Sequence, residues 1–169
     1  KNRKRDGPFN SYFYNNTIIV SKEIVSKFAI SRSASGILIA NNIFYIEGET
    51  EYVLGDQYRP DKDGNWETGN VVFTNNLYLG KYSWPGKAPV QDRNPIVGDP
   101  GLHLQVSDNL MDYIPGNPNI IKDAGVEIDP IPADTIGLIL GLSVHRDILG
   151  NPVKEIPDLG AVEVHQELP

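Results

Sequence analysis

The sequence contains no cysteine, one methionine and three histidines among its 169 residues. The absence of cysteine fits an exported protein without disulfides and equally fits a cytosolic one, so it leaves the cellular compartment open. The histidines, His103, His145 and His165, are scattered along the chain rather than spaced as metal ligands. No metal site is therefore expected from them.

Positive charge is also scarce, because 15 Lys and Arg residues stand against 22 Asp and Glu residues, which gives a formal net charge of −7. Phosphate backbones are bound by concentrated basic faces, so we exclude nucleic acid as a partner. No apolar run approaches the roughly 20 residues that a membrane span needs. With 40% hydrophobic residues, 13 Pro and 16 Gly, the composition suits one β-rich domain over residues 1–169.

One pattern occurs three times: an apolar run, two asparagines and a second apolar run. The asparagine pairs are Asn15-Asn16, Asn41-Asn42 and Asn75-Asn76. The flanking branched and aromatic residues suit strands, and Asn tolerates the left-handed backbone conformation of a tight corner. Each unit therefore predicts two short strands joined by a bend. The units lie 26 and 34 residues apart, as expected of a solenoid whose loops vary in length.

A stack of such coils explains why the asparagines repeat. In a parallel β-helix, successive coils lie about 4.8 Å apart, so equivalent asparagines are in register and their amides can hydrogen-bond along the stack. We therefore predict an all-β fold with β-helix coils over residues 9–80 and a structural ladder of the six asparagines. Two alternatives stay open at this point: an antiparallel meander, and Asn-Asn as a common loop dipeptide.

The excursion over residues 47–69 is rich in turn-forming and charged residues. Four of its polar side chains alternate as in a fragment of a calcium loop, namely Asp61, Asp63, Asn65 and Glu67. The glycine is misplaced and the closing glutamate is absent, so no cofactor is expected, with calcium at this loop as the alternative. Aromatic residues among charged and turn residues either fold back over a coil or offer a platform to the apolar face of a sugar ring. The candidates for substrate binding are Tyr58, Trp66 and Trp84.

After the third unit the chain changes to a Pro-punctuated tail, which we predict to be an irregular closing segment and end cap over residues 81–169. Four motifs follow in order: Asp99-Pro-Gly-Leu102, Asn117-Pro118 with Ala124-Gly125, Asp147-Ile-Leu-Gly-Asn-Pro152 and Asp158-Leu-Gly-Ala-Val-Glu163. With the asparagine units, this order resembles the closing segment of right-handed parallel β-helix proteins of the pectate-lyase-like superfamily. The apolar residues 135–142 are predicted to cover the end of the core as a strand or short helix. Residues 158–164 are predicted to add a last strand, with Gly160 permitting close backbone approach.

The resemblance implies an extracellular, periplasmic or cell-surface protein that acts on polysaccharide or oligosaccharide as a glycoside hydrolase or polysaccharide lyase. Hydrolysis needs two carboxylates about 5 to 9.5 Å apart, and elimination needs a base with a cation or metal. The sequence contains carboxylates, bases and cations of these kinds, but their spacing is not diagnostic. They are Glu47, Glu49, Glu51, Asp56, Lys81, Asp92, Arg93 and His103. Catalytic residues are therefore unassigned. The alternatives are a noncatalytic carbohydrate-binding or surface-adhesion module and a purely structural solenoid end.

The start of the sequence carries four positive charges within residues 1–5 and shows neither an initiator methionine nor an apolar signal sequence. A strand pattern begins at Phe9 without a preceding cap, although the ends of solenoids need caps. We therefore expect this chain to be the C-terminal part of a longer β-helix protein. Further coils, and most of the catalytic residues, are expected upstream.

Overall fold

A computed structural model describes residues 8–30, 34–52, 69–80, 90–102, 107–138 and 143–164. Within these ranges the chain forms nine short strands and two short 3₁₀ helices. The strands are β1 (Phe9–Tyr14), β2 (Thr17–Val20), β3 (Ser26–Phe28), β4 (Ser35–Ala40), β5 (Ile43–Ile46), β6 (Thr50–Tyr52), β7 (Gly69–Thr74), β8 (Leu77–Tyr78) and β9 (Ile96–Val97). The helices are Leu110–Tyr113 and Pro118–Ile120.

Every pairing between these strands is parallel. Sheet A has the order β1-β4-β7, sheet B the order β2-β5-β8-β9, and sheet C pairs β3 with β6. From β1 to β8, consecutive strands therefore pass through sheets A, B and C in turn and then begin again, and β9 adds to sheet B. We call β1-β2-β3 layer 1, β4-β5-β6 layer 2 and β7-β8 layer 3. The all-β prediction is confirmed, and the parallel pairing excludes an antiparallel meander for these strands.

The three sheets surround one apolar interior. Alternate side chains of each strand point inward, so Ile37 and Ile39 of sheet A and Phe44 and Ile46 of sheet B belong to the same buried cluster. Phe28 of sheet C joins them, with its ring centroid 5.1 Å from that of Phe44. This edge-on aromatic contact adds about 0.5–1.5 kcal/mol to the area buried. The layers are therefore held together by packing between sheets as well as by strand pairing.

The closing segment builds a second apolar core on the outer face of sheet B. Ile43 and Leu77 point away from the interior and pack with Leu102, Ile121 and Leu159 of the tail. Four of these five side chains are completely buried, and Leu102 is 5% exposed. This contact explains why all four residues of β5 are buried, since both faces of that strand are covered.

One prediction for the tail is wrong. Residues 158–164 form no strand but a looped segment, because its backbone N–H groups donate to carboxylates, to the Thr17 hydroxyl and to two separate backbone carbonyls rather than to one neighbouring strand. The N–H of Val164 donates to Asp158 Oδ2 at 2.5 Å, and the N–H of Asp158 donates to Glu163 Oε1 at 3.1 Å. For the apolar piece at 135–142, residues 135–137 form bends and a turn, residue 138 has 3₁₀ conformation, and residues 139–142 lie outside the described ranges.

Glu163 carries a buried carboxyl group in this loop and is only 4% exposed. Its Oε2 atom has no hydrogen-bond partner in the described part of the chain. Burial raises the pKa of Glu163, and the negative charges of Asp158 and Asp147 act in the same direction, while the hydrogen bond from the Asp158 N–H and the charge of Lys154 oppose them. The folded closing segment therefore holds the proton of Glu163 more tightly than the unfolded chain does.

This raised pKa predicts that the chain is more stable in mild acid. The stabilisation is complete below the ordinary glutamate pKa of 4.5 and is lost as the pH rises through the higher pKa of the folded state. We expect Glu163→Gln to raise the free energy of unfolding at pH 7, by about 1.4 kcal/mol per unit of pKa shift, and to flatten its pH dependence. Urea unfolding between pH 4 and 8 measures both effects. The exposed Glu155→Gln serves as the control, and equal pH profiles for both variants would contradict the prediction.

Candidate functional site

The three Asn-Asn pairs form the corners between sheets A and B. The first asparagine of each pair has a positive φ, 53° at Asn15, 55° at Asn41 and 56° at Asn75. Asn adopts this left-handed conformation more readily than most residues. The register pairs Tyr14 with Ala40 before the corner and Thr17 with Ile43 after it, so the corners of successive layers are superposed.

The second asparagine of each pair belongs to an inner ladder. Asn16 Nδ2 donates to Asn42 Oδ1 at 3.0 Å, and Asn42 Nδ2 donates to Asn76 Oδ1 at 2.8 Å. The same Oδ1 atoms accept backbone N–H groups from the layer before, as Asn42 N to Asn76 Oδ1 at 3.0 Å shows. Asn42 and Asn76 are completely buried, so the predicted asparagine ladder is present and satisfies backbone groups that the corner leaves unpaired.

Asp92 ends the inner ladder. Its Oδ2 atom accepts hydrogen bonds from Asn76 Nδ2 at 2.7 Å, Asn76 N at 3.3 Å and Tyr78 Oη at 2.9 Å. Burial raises the pKa of Tyr78, and the charge of Asp92 raises it further, so the tyrosine remains a neutral donor. Because an ionised carboxylate only accepts hydrogen bonds, Asp92 suits the position after the last amide donor. The structure thus places Asp92, a catalytic candidate by residue type, in a structural role.

The first asparagine of each pair forms an outer ladder that holds a segment of the tail. We call residues 124–134 the strap. Asn75 Nδ2 donates to Asn41 Oδ1 at 3.2 Å and to Ala124 O at 2.8 Å. Asn41 Nδ2 donates to Val126 O at 2.8 Å, and Val126 N donates back to Asn41 Oδ1 at 3.0 Å. The side chain of Asn41 therefore pairs with the strap as a backbone amide would.

The strap reaches layer 1 through Tyr12. Ile131 N donates to Tyr12 Oη at 2.7 Å, and Tyr12 Oη donates to Asp134 Oδ2 at 2.5 Å. The hydrogen bond from Tyr12 is the main reason why the pKa of Asp134 is lowered. Asn10 Nδ2 also donates to Asp134, at 3.3 Å from Oδ1. The strap therefore crosses the outer face of sheet A from layer 3 to layer 1.

A second stack of positive φ angles lies at the other end of sheet A. Asn10, Gly36 and Asn70 have φ angles of 48°, 72° and 52°, and their neighbours pair in register. Each residue lies five positions before the first asparagine of its layer, so this second repeat is also present in the sequence. This stack places Asn70 beside the strap.

A cleft of about 680 Å³ lies between the outer face of sheet A and the strap. Its floor comes from β4 and β7, with Leu38 and Val72 paired in register. The lining residues are Ile37, Leu38, Ala40, Asn70, Val71, Val72, Thr74, Arg93, Val126, Glu127, Ile128, Asp129, Pro130, Ile131 and Pro132. The volume is within the range of about 300–1,000 Å³ that is usual for ligand pockets.

The cleft combines apolar walls with a few polar groups. Apolar side chains come from both sides, with Leu38 and Val72 on the sheet and Ile128 on the strap. Arg93 follows β7 and β8 in sequence and lies at layer 3, where its N–H donates to Phe73 O at 2.9 Å. The strap contributes Glu127 and Asp129, both exposed. The site can therefore pack an apolar surface while bonding polar groups at its edges.

The remaining predicted site residues divide into two groups. Tyr58, Trp66 and Trp84 lie outside the described residues, as do the calcium-like positions Asp61, Asp63, Asn65 and Glu67 and the candidates Asp56, Lys81 and His103. Among described candidates, only Arg93 lines the cleft. Glu47 instead accepts a hydrogen bond from Lys22 N at 3.2 Å. Glu127 and Asp129 were missed, because nothing in their Pro-rich surroundings indicated which strands they approach.

No protein-family model and no curated protein matches the chain. Within the described ranges, no group of three or more His, Asp or Glu side chains is arranged to hold a metal ion. None of the helices in those ranges has the length and apolar character needed to cross a bilayer.

Proposed function

We propose that the chain is a right-handed parallel β-helix related to the pectate-lyase-like superfamily. Support comes from the cycle of strands through three parallel sheets, from the ladder at the corner and from the order of tail motifs. Parallel strands of one sheet are joined by right-handed crossovers in about 98% of cases, and here β1 returns to sheet A as β4 through sheets B and C. Further coils of a longer parent chain would extend this stack.

We propose that the protein is exported and acts on polysaccharides, with this chain as the C-terminal part of a glycoside hydrolase or polysaccharide lyase. The observation that carries the proposal is the cleft on sheet A. A pyranose ring has apolar C–H faces and a rim of hydroxyl groups. Apolar walls from Leu38, Val72 and Ile128 fit such faces, while carboxylate, amide and guanidinium groups bond hydroxyls.

A noncatalytic carbohydrate-binding or surface-adhesion module is the second candidate. The observation favouring it is the position of the carboxylates, since Glu127 and Asp129 both lie on the strap, whereas hydrolysis needs carboxyl groups that flank the bond. If the protein is an enzyme, the catalytic residues therefore lie mainly on other parts of the parent chain. In that case the cleft is a glycan-binding site separate from the catalytic one.

Binding of this chain to polygalacturonate, alginate and hyaluronan, measured by affinity electrophoresis and calorimetry, tests the proposal. We expect at least one polymer to bind and Val72→Trp to weaken that binding about tenfold or more, since the indole projects from the floor of the cleft into the space for the sugar. The matched control is Val97→Trp on β9, where valine is 54% exposed and lies outside the cleft lining. Equal binding by both variants would overturn the assignment of the site.

The same polymers distinguish an enzyme from a binding module. Reducing ends and unsaturated uronate absorbance are followed for this chain and for the longest natural parent. Product from the parent alone would indicate that the catalytic groups lie upstream, as proposed. Binding without product from either would support the noncatalytic alternative, and neither binding nor product would overturn both candidates.

A further inference from the structure

We propose that the cleft is closed at its layer-1 end and therefore receives the terminus of a glycan chain rather than an internal stretch. This inference rests on the proposed function and specifies which part of the polysaccharide the site takes. An internal stretch needs a groove that continues at both ends, because the polymer must leave the site on both sides. A wall across one end admits only a chain that stops there.

The wall is the place where the strap meets layer 1. The cleft lining includes residues of β4 and β7 but none of β1, although all three strands belong to sheet A. Ile131 stands between the cleft and β1, is 6% exposed and is held by its N–H bond to Tyr12 Oη at 2.7 Å. The cleft therefore stops at layer 2.

Gly36 lets the wall approach the sheet. A Cβ atom at Gly36 would lie 3.3 Å from Ile131 Cγ2 and 2.5 Å from Asn10 Oδ1, so the strap lies against bare backbone at this point. The bonds of Asp134 to Tyr12 and Asn10 hold the residues just beyond Ile131 on β1. In the part of the chain that the structure describes, layer 1 and the strap thus leave no passage for a sugar ring beside Gly36.

The corner side of the cleft is bounded as well. Val126 lines the cleft and is bonded through both its N–H and its carbonyl to the side chain of Asn41. A chain that enters from layer 3, where Arg93 lies, therefore meets Val126 along one side and Ile131 at the end. This geometry makes Ile131 the residue that determines how far the terminal sugar enters.

The test counts chain ends. Each polymer that binds, among polygalacturonate, alginate and hyaluronan, is compared with the same material hydrolysed to a mean length about tenfold shorter. We expect the mass concentration at half-saturation to fall about tenfold, since the number of ends per mass rises tenfold. Oligosaccharides blocked with a bulky group at the reducing end, and others blocked at the non-reducing end, are then titrated. Blocking one of the two ends is expected to abolish binding.

Two substitutions test whether the Ile131 side chain causes this dependence of binding on the chain end. Ile131→Ala shortens the wall and is expected to restore binding of the blocked oligosaccharide, whereas Ile136→Ala, at a side chain 64% exposed two residues beyond the strap, is not. The wild-type comparisons stand even if Ile131→Ala fails to fold. Binding that follows glycan mass rather than end number, or equal binding of both blocked forms, would overturn the inference while leaving the cleft as a polysaccharide site. Absence of any binding would overturn the proposed function and this inference together.

Discussion

Replacing Asn76 by alanine is expected to lower the free energy of unfolding by about 3–5 kcal/mol, because several buried groups lose their partners and each costs about 1–3 kcal/mol. The Nδ2 atom of Asn76 donates to Ile39 O at 3.0 Å and to Asp92 Oδ2 at 2.7 Å. Its Oδ1 atom accepts from Asn42 N at 3.0 Å. Alanine leaves the Ile39 carbonyl and the Asn42 N–H without these partners in a site that water does not reach. Urea unfolding measures the loss.

Asn16→Ala is the matched control, because Asn16 occupies the same corner in layer 1 but is only half-buried. Its side chain donates to Tyr14 O at 2.8 Å and to Asn42 Oδ1 at 3.0 Å. Water can replace these bonds, so we expect a loss of about 1 kcal/mol or less. Similar losses for the two variants would show that burial does not set the strength of the ladder.

Replacing Gly160 by alanine is expected to release residues 158–164 from the layers. Gly160 has a φ of +87°, and its N–H donates to Asn41 O at 2.8 Å. A Cβ atom there would lie 2.6 Å from Ile43 Cδ1 and 2.7 Å from Thr17 Oγ1. The left-handed conformation costs alanine about 1–2 kcal/mol, and overpacking adds about 1–3 kcal/mol, so we expect a total loss of about 2–5 kcal/mol.

Gly150→Ala separates these two costs. Gly150 has a similar φ of +90°, but a Cβ atom there would meet nothing within 4 Å. The control therefore carries the backbone strain without the clash. Hydrogen exchange of residues 158–164 and urea unfolding are compared for both variants. The clash is excluded as a cause if Gly150→Ala destabilises the chain as much as Gly160→Ala does.

Gly160→Ala also bears on the cleft, because Asn41 connects residues 158–164 to the strap. The side chain of Asn41 bonds Val126 of the strap, and its carbonyl accepts the N–H of Gly160. Disrupting either contact of Asn41 is expected to displace the strap, which covers the cleft, more than β4 and β7, which form the floor of the cleft. Weakened glycan binding in a still-folded Gly160→Ala chain would follow from this connection.

Much of the layered fold was predictable because its determinants are local and repeated. A pair of asparagines between two apolar runs specifies a left-handed corner through its own side-chain chemistry, and the recurrence of Asn15, Asn41 and Asn75 requires layers in register. The residues five positions earlier, Asn10, Gly36 and Asn70, were equally available in the sequence. The last strand was predicted wrongly because strand-like alternation at residues 158–164 does not reveal that its N–H groups donate to carboxylates, a hydroxyl and separate backbone carbonyls instead of to one neighbouring strand.

The corners, the ladder and the all-β character follow from the sequence alone, since short-range backbone preference and a repeated amide specify them. The position of the tail, and hence of the cleft, depends on tertiary contacts. The contacts that place the strap join residues far apart in the chain, as between Asn41 and Val126, 85 positions apart, and between Tyr12 and Asp134, 122 positions apart. No local propensity encodes such pairings. They depend on the stacked layers, which present the Asn41 amide and the Tyr12 phenol to the strap.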